Sequence, residues 1–134
     1  MKIVLANGVF DVLHVGHVEH LLQARNMGDF LMVALTMDHA VNKGPGRPIN
    51  KWEDRAIVLH ALACVNSVIP CVSAVSAIKL AKPDIFVKGI DYAGGNRFTE
   101  DVVSVCKELG VEIRYTDTPK RSVTEIIKKS LEIS

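Results

Sequence analysis

Apolar residues along this chain fall in two alternating patterns. Residues 2–6 form a short, largely apolar run, which predicts a buried strand. Within residues 15–27, Val18, Leu21, Leu22 and Ala24 follow helical spacing, and Gly28 ends that predicted helix. Residues 30–36 are a second continuous apolar run and a second strand. The stretch 38–50 breaks the pattern: it holds Asn42, Lys43, Gly44, Pro45, Gly46, Arg47 and Pro48, and predicts a polar loop. Helical spacing returns over 51–64, with Ile57, Val58, Ala61 and Leu62 expected to face inward. A strand over 67–72 follows, then a helix over 73–82 closed by Pro83 and a strand over 84–88. The last predicted elements are a helix over 99–109 ending at Gly110, a strand over 111–115 and a helix over 122–131. Ser122 and Glu125 have capping-box spacing at the start of that last helix.

This is a strand–helix alternation repeated about five times. Strands that are apolar throughout, joined by helices, imply a parallel sheet covered on both faces. Right-handed crossovers then give a Rossmann-like, doubly wound α/β fold with a five-stranded parallel sheet. Ligands in such folds bind beyond the carboxyl ends of the strands. That rule selects four segments: 7–17, 36–47, 88–92 and 116–124.

Composition narrows the setting. With 134 residues, the chain is expected to form a single domain spanning 1–134. A net charge of +1 gives no argument for nucleic-acid or membrane binding. Its apolar runs fall well short of the roughly 18 residues that cross a bilayer, and the chain enters a strand at Lys2 without a signal peptide. Cys64, Cys71 and Cys106 are scattered and odd in number, as free thiols of a reducing compartment would be. A cytoplasmic protein is the expectation.

The four segments share groups suited to an anion. Gly8 offers a tight turn after the first strand, and His14 and His17 open the first helix, where unpaired N–H groups and the helix dipole favour negative charge. Gly16, without a Cβ, lets a phosphate approach the backbone. Lys43 and Arg47 lie on the loop after the second strand, Lys88 ends the fourth, and Arg121 precedes the last helix. The phosphate-binding loop of the P-loop enzymes, the glycine fingerprint of dinucleotide enzymes and the hydrolase nucleophile elbow are all missing. Cations and neutral donors without a nucleophile suit transfer at phosphorus, where the substrates supply the reacting atoms.

Gly8-Val9-Phe10-Asp11-Val12-Leu13-His14-Val15-Gly16-His17 resembles the signature of the cytidylyltransferase-like nucleotidyltransferases, whose hallmark is His-x-Gly-His. The similarity continues through Lys43-Gly44-Pro45-Gly46-Arg47-Pro48-Ile49-Asn50 and Glu53-Asp54-Arg55. Pro83-Asp84-Ile85-Phe86-Val87-Lys88-Gly89-Ile90-Asp91-Tyr92 and Ser122-Val123-Thr124-Glu125-Ile126-Ile127 are most similar to the adenylyltransferase branch of the ADP-heptose pathway. The glycerol-3-phosphate cytidylyltransferase branch is next, and Val123 departs from its hydroxyl residue at that place. The resemblance implies transfer of a nucleoside monophosphate from ATP, or CTP, to a small phosphorylated acceptor such as a heptose-type sugar 1-phosphate. It implies catalytic roles for His14, His17, Lys43 and Lys88. It implies nucleotide contacts from Gly8, Val9, Phe10, Asp11, Gly16, Arg55, Gly89, Asp91, Arg121, Ser122 and Thr124. Mg²⁺ would bridge the phosphates with Asp11 as a contact, and the family favours a homodimer.

Plainer readings stand beside these. Arg55 would pair with Glu53 or Asp54 on a helix surface, Ser122 would serve only as a helix cap, and Trp52 is read as packing. His14, His17 and His20 are spaced by three, but no carboxylate or cysteine spacing supports zinc. Two other functions fit parts of the chain: a nucleotide-sensing module without turnover, and the catalytic half of a tRNA ligase. The second is not expected, since these 134 residues carry no basic surplus and are read as one domain without an addition to grip RNA.

Overall fold

In the computed structural model, residues 1–42, 44–89 and 99–117 are described. The predicted helix over 122–131 lies outside them, as do Lys43, Asp91, Arg121, Ser122 and Thr124. The described chain runs β1 (Ile3–Gly8), α1 (Val15–Arg25), β2 (Phe30–Thr36), α2 (Trp52–His60), β3 (Ser67–Cys71), α3 (Ala74–Ala81), β4 (Ile85–Gly89), α4 (Glu100–Leu109) and β5 (Glu112–Thr116), with a 3₁₀ turn at Asp38–Ala40. All strand pairs are parallel, in the order β3-β2-β1-β4-β5. The direction of winding reverses between β1 and β4, which opens a crevice at their carboxyl ends. No helix of the described residues is long and apolar enough to cross a membrane.

Strand alternation sends successive side chains to opposite faces. Val4, Ala6, Val33, Leu35, Ile85 and Val87 pack under α1 and α2. Leu5, Ala34 and Phe86 pack with Ala77, Ile78, Val102 and Val105 of α3 and α4. Among the described residues two helices therefore cover each face, and the central strands are buried on both sides. This is why the strands read as unbroken apolar runs.

Several local expectations are corrected. Helix α2 is shorter than predicted and presents a different face. Arg55, Ala56 and Leu59 are buried, whereas Ile57 and Val58 are 67% and 48% exposed, and Ala61 is exposed beyond its end. Apolar residues surround much of this helix, so periodicity alone did not fix its inner face. Leu22 of α1 is also exposed, while Leu21 and Ala24 carry the packing. Gly28 does not cap α1, since Asn26 does so in a right-handed conformation. A Cβ at Gly28 would lie 2.8 Å from both the Lys2 carbonyl oxygen and Val4 Cγ2, so this glycine serves close packing against β1. Gly110, at φ 71°, is a left-handed helix cap as predicted.

The α2 assignment has a direct test. Leu59→Ala should lower unfolding free energy by about 2–5 kcal/mol, and Ile57→Ala should change it by under about 0.5 kcal/mol. Denaturant titrations of the two variants check this, and a larger loss for Ile57→Ala would reverse the helix face.

Candidate active site

The site begins in a turn forced on the chain by an aromatic ring. β1 extends to Gly8, so Gly8 lies in the strand and does not make the turn. Phe10 makes it, in the left-handed region at φ 46°. That conformation costs a non-glycine residue free energy, and burial of the ring, only 8% exposed, offsets it. The ring folds back over Gly8, where a Cβ would come within 2.7 Å of Phe10 Cε2. On its other side it meets the His17 imidazole edge-on, with centroids 5.3 Å apart at 73°. Gly8 is thus required for Phe10, and Phe10 sets His17.

His14 and His17 form the amino-terminal cap of α1. Gly16 N–H donates to His14 Nδ1 at 3.0 Å, and His14 N–H donates to His17 Nδ1 at 3.2 Å. This is a capping box built from two imidazoles. Both Nδ1 atoms accept, so each neutral ring carries its proton on Nε2. The rings lie 4.0 Å apart at 34°, side by side at the positive end of the helix. Gly16 has a second function beyond the one predicted. A Cβ there would meet His14 Cε1 at 2.8 Å, so only glycine lets the His14 ring reach its place.

Asp11 and Arg55 build the floor beneath the histidines. Asp11 Oδ2 accepts from Arg47 Nε at 2.8 Å and from Ile49 N–H at 2.7 Å, while Oδ1 accepts from Asn50 N–H at 2.8 Å. Asn50 Nδ2 donates to the Asp11 carbonyl oxygen at 2.7 Å. Burial opposes the Asp11 charge, but the two amides and the Arg47 guanidinium outweigh it and hold the carboxyl below its usual range. Both oxygens accept from the loop, so Asp11 serves as a latch on it. Arg47 likewise serves the loop.

Arg55 is corrected too. Its side chain is fully buried and pairs with neither Glu53 nor Asp54. Nε donates to the Asn50 carbonyl at 2.9 Å, Nη1 to the Val9 carbonyl at 2.9 Å, and Nη2 to Asp38 Oδ1. It acts below the site, on the backbone that carries the signature. Trp52 packs against the core as predicted and donates Nε1–H to the Leu35 carbonyl at 2.9 Å.

Lys88 lies across the sheet edge. It follows Phe86 by two positions in β4, so it faces the α3/α4 side. There it lines a cavity of about 270 Å³ with Asn7, Ser73, Phe86, Thr99 and Asp101. Sequence reasoning missed Asn7, which donates Nδ2–H to the Ala34 carbonyl at 2.9 Å and to Cys71 Sγ at 3.2 Å, on the β2 and β3 side of β1. An amide at the end of an otherwise apolar strand was the available signal. It also missed Ser73, which caps α3 reciprocally with Ser76. His20, set aside in sequence, is a partly buried side chain of α1 with Nδ1 2.5 Å from Thr116 Oγ1. Gly89 lies beside that pair, with room for a Cβ at 3.6 Å from each atom.

Two consequences are measurable. Asp11→Asn retains the size of the side chain and removes its charge. It should destabilise the fold by about 1–3 kcal/mol, with the loss shrinking as the wild-type carboxyl protonates in acid. Thermal melts across pH check this, and a pH-independent difference would refute the charged latch. His20 has its pKa lowered to about 4 by burial. A histidine depressed from about 6.5 contributes stability that is full above the unfolded value and declines as pH falls toward the folded one. Wild-type stability should therefore fall by about 3 kcal/mol more than that of His20→Asn between pH 7 and pH 4. Parallel curves for the two proteins would contradict it.

Comparison with known proteins places the chain in a family. Residues 5–129 match the Cytidylyltransferase-like family model. Bifunctional protein HldE of Sulfurimonas denitrificans is 46% identical over 133 residues, covering 96% of this chain and 26% of that protein. Its counterpart in Campylobacter concisus is 41% identical, covering 96% and 27%. The chain thus spans about a quarter of the length of these curated relatives. A lipopolysaccharide core biosynthesis protein from Thermoplasma volcanium is 28% identical in its crystal structure, with a TM-score of 0.73 over 91% of this chain and 99% of that one. Pantoate-beta-alanine ligase from Francisella tularensis, crystallised with an ATP analogue and beta-alanine, is 14% identical with a TM-score of 0.59, over 90% and 60% of the two chains, and shares the fold. With its signature, fold and matched length in agreement, this chain belongs to the cytidylyltransferase-like family.

Proposed function

We propose that the chain is a nucleotidyltransferase domain that transfers AMP from ATP to a heptose-type sugar 1-phosphate and releases pyrophosphate. The observation that carries this reading is the paired imidazole cap of α1. Two neutral rings with protons on Nε2, side by side at a helix amino terminus, form a donor pair for a polyphosphate. In the proposed reaction a phosphate oxygen of the acceptor attacks the α-phosphorus in line. The new P–O bond forms as the bond to the β-phosphate bridging oxygen breaks, and pyrophosphate leaves with that electron pair. His14 and His17 stabilise charge on the triphosphate oxygens during this exchange.

The two faces of the sheet edge divide the substrates. The triphosphate lies on the α1 side. The acceptor occupies the cavity on the α3/α4 side, where Lys88 neutralises its phosphate and Ser73, Thr99 and Asp101 offer hydrogen-bonding groups to sugar hydroxyls. Lys43, Asp91, Arg121, Ser122 and Thr124 complete the nucleotide site in this reading, by resemblance alone. Mg²⁺ fits as a companion of the triphosphate. Asp11 is committed to the loop, and the described residues hold no group of three metal-ligating side chains. The ADP-heptose branch resemblance and the HldE relatives favour ATP and a heptose phosphate over CTP and glycerol 3-phosphate. Three free, buried thiols suit a cytoplasmic setting. The exposed apolar side of α2, with Ile57 and Val58, suits a homodimer.

A matrix of nucleoside triphosphates against phosphorylated acceptors, scored by pyrophosphate release, tests the reading. ATP with a heptose 1-phosphate should give the highest turnover. His17→Ala should lose about 10²–10³ in kcat with its melting temperature retained, as when a transition-state donor is removed. Lys88→Ala should raise KM for the acceptor more than KM for ATP. Release from CTP with glycerol 3-phosphate alone would replace the substrates, and no release from any pair would overturn the activity.

A further inference from the structure

The helix that carries the paired histidines is also fastened sideways. One turn beyond His17, His20 Nδ1 shares a hydrogen bond of 2.5 Å with Thr116 Oγ1. Thr116 is fully buried and is the register partner of Gly89, next to Lys88. Close to another turn along α1, Gln23 Nε2 donates to the Asp117 carbonyl at 3.3 Å, and Asp117 N–H donates to Gln23 Oε1 at 3.0 Å. The Gln23 amide thus offers the backbone after β5 the donor and acceptor that a neighbouring strand would offer. Together these three polar links join one face of α1 to the end of β5.

Helix α1 already packs on the sheet through Leu21 and Ala24, both fully buried. Apolar packing is non-directional, and a helix held by it alone can slide or rotate by a fraction of a turn. Hydrogen bonds fix distance and angle. Placing polar groups at a buried contact costs desolvation that an apolar pair would avoid. The arrangement therefore gives registry that packing does not.

We propose that His20 and Gln23 are positioning residues of the nucleotide site, holding α1 so that the His14–His17 pair keeps a fixed spacing from Gly89 at the end of β4. This rests on the nucleotidyltransferase reading. The clamp sits on the α1 side of the sheet, opposite the Lys88 cavity, so its loss weakens nucleotide binding and spares the acceptor. His20 is neutral at physiological pH, because burial brings its pKa down to about 4, and the link holds throughout that range.

Steady-state kinetics on the full chain, with ATP titration beside them, test the clamp. Thr116→Val keeps the shape and removes the hydroxyl, and His20→Phe removes the ring nitrogen. Each should raise KM and Kd for ATP about three- to tenfold, as expected for one buried hydrogen bond, with the acceptor KM unchanged. Gln23→Ala, at a more exposed position, should raise it about twofold. Thr116→Ser and His20→Asn retain a hydrogen-bonding atom at the same place and should restore affinity. Unchanged ATP affinity in Thr116→Val and Gln23→Ala overturns the proposal. So does an equal rise in both KM values, or a lower melting temperature with a fall in kcat alone. A wild-type chain that binds ATP yet releases no pyrophosphate overturns the transfer reading instead, and the variants' Kd for ATP then decides the clamp separately.

Discussion

The arrangement of this site depends on one buried cation. Arg55 carries its charge into the fold with no exposed side-chain surface, and each of its three guanidinium nitrogens donates to an acceptor. Those acceptors belong to three separate pieces of chain: the turn after β1 at Val9, the 3₁₀ turn after β2 at Asp38, and the loop end at Asn50. An unpaired guanidinium at this depth would cost several kcal/mol, so the three pieces converge or the helix does not dock. Asp38 stays about half exposed, which leaves the pair less desolvated than a fully buried one. Asp11 adds the complementary constraint. It is an anion whose two oxygens draw Arg47, Ile49 and Asn50 toward the same turn. Asn50 takes part in both networks, so the turn of the histidine signature and the end of the polar loop move as one body.

On this floor the sheet separates two kinds of chemistry. Strand alternation places Val87 and Gly89 toward α1, and Phe86 and Lys88 toward α3 and α4. The imidazoles at the helix amino terminus and the lysine therefore lie on opposite faces of the sheet at the β1–β4 crevice, and in the proposed reaction they approach the substrates from opposite sides. Such placement suits an in-line exchange, in which entering and leaving groups lie on opposite sides of the phosphorus. Strand order alone produces it. Winding reverses between β1 and β4, so the loops that follow these two strands splay apart and leave the crevice open.

Much of the fold was legible because burial on both faces leaves a direct trace in sequence. The five strands were all found, and their errors were shifts of a residue or two at the ends. The face of α2 was not legible. Ile57 and Val58 have the residue types of a core and lie outside, whereas Arg55 has the residue type of a surface and lies inside. A buried arginine is set by distant acceptors, and helical spacing carries no information about them. The same limit hid the His20–Thr116 link, whose partners are 96 residues apart in sequence. At the signature, residue types pointed to the right turn but to the wrong residue. Glycine is the usual choice for a positive φ, and here Phe10 adopts it because its ring gains burial that Gly8 makes room for.

The signature therefore contains two groups of residues with different physical duties. His14 and His17 present donors. Gly8, Phe10, Asp11 and Gly16 build the shape that holds those donors, through a ring over a glycine, a latch to the loop and a missing Cβ beneath an imidazole. The builders restrict which residues fit at their own positions. A Cβ at Gly8 would displace the Phe10 ring and one at Gly16 the His14 ring, and each imidazole's tautomer depends on a backbone amide two or three residues away. Backbone amides within a stretch of four residues thus direct both imidazole protons to Nε2. What the rest of the protein adds is distance: the floor under the turn, the polar links from α1 to β5 and the lysine across the sheet set where that prepared pair stands, and in the proposed reaction where it would meet the triphosphate.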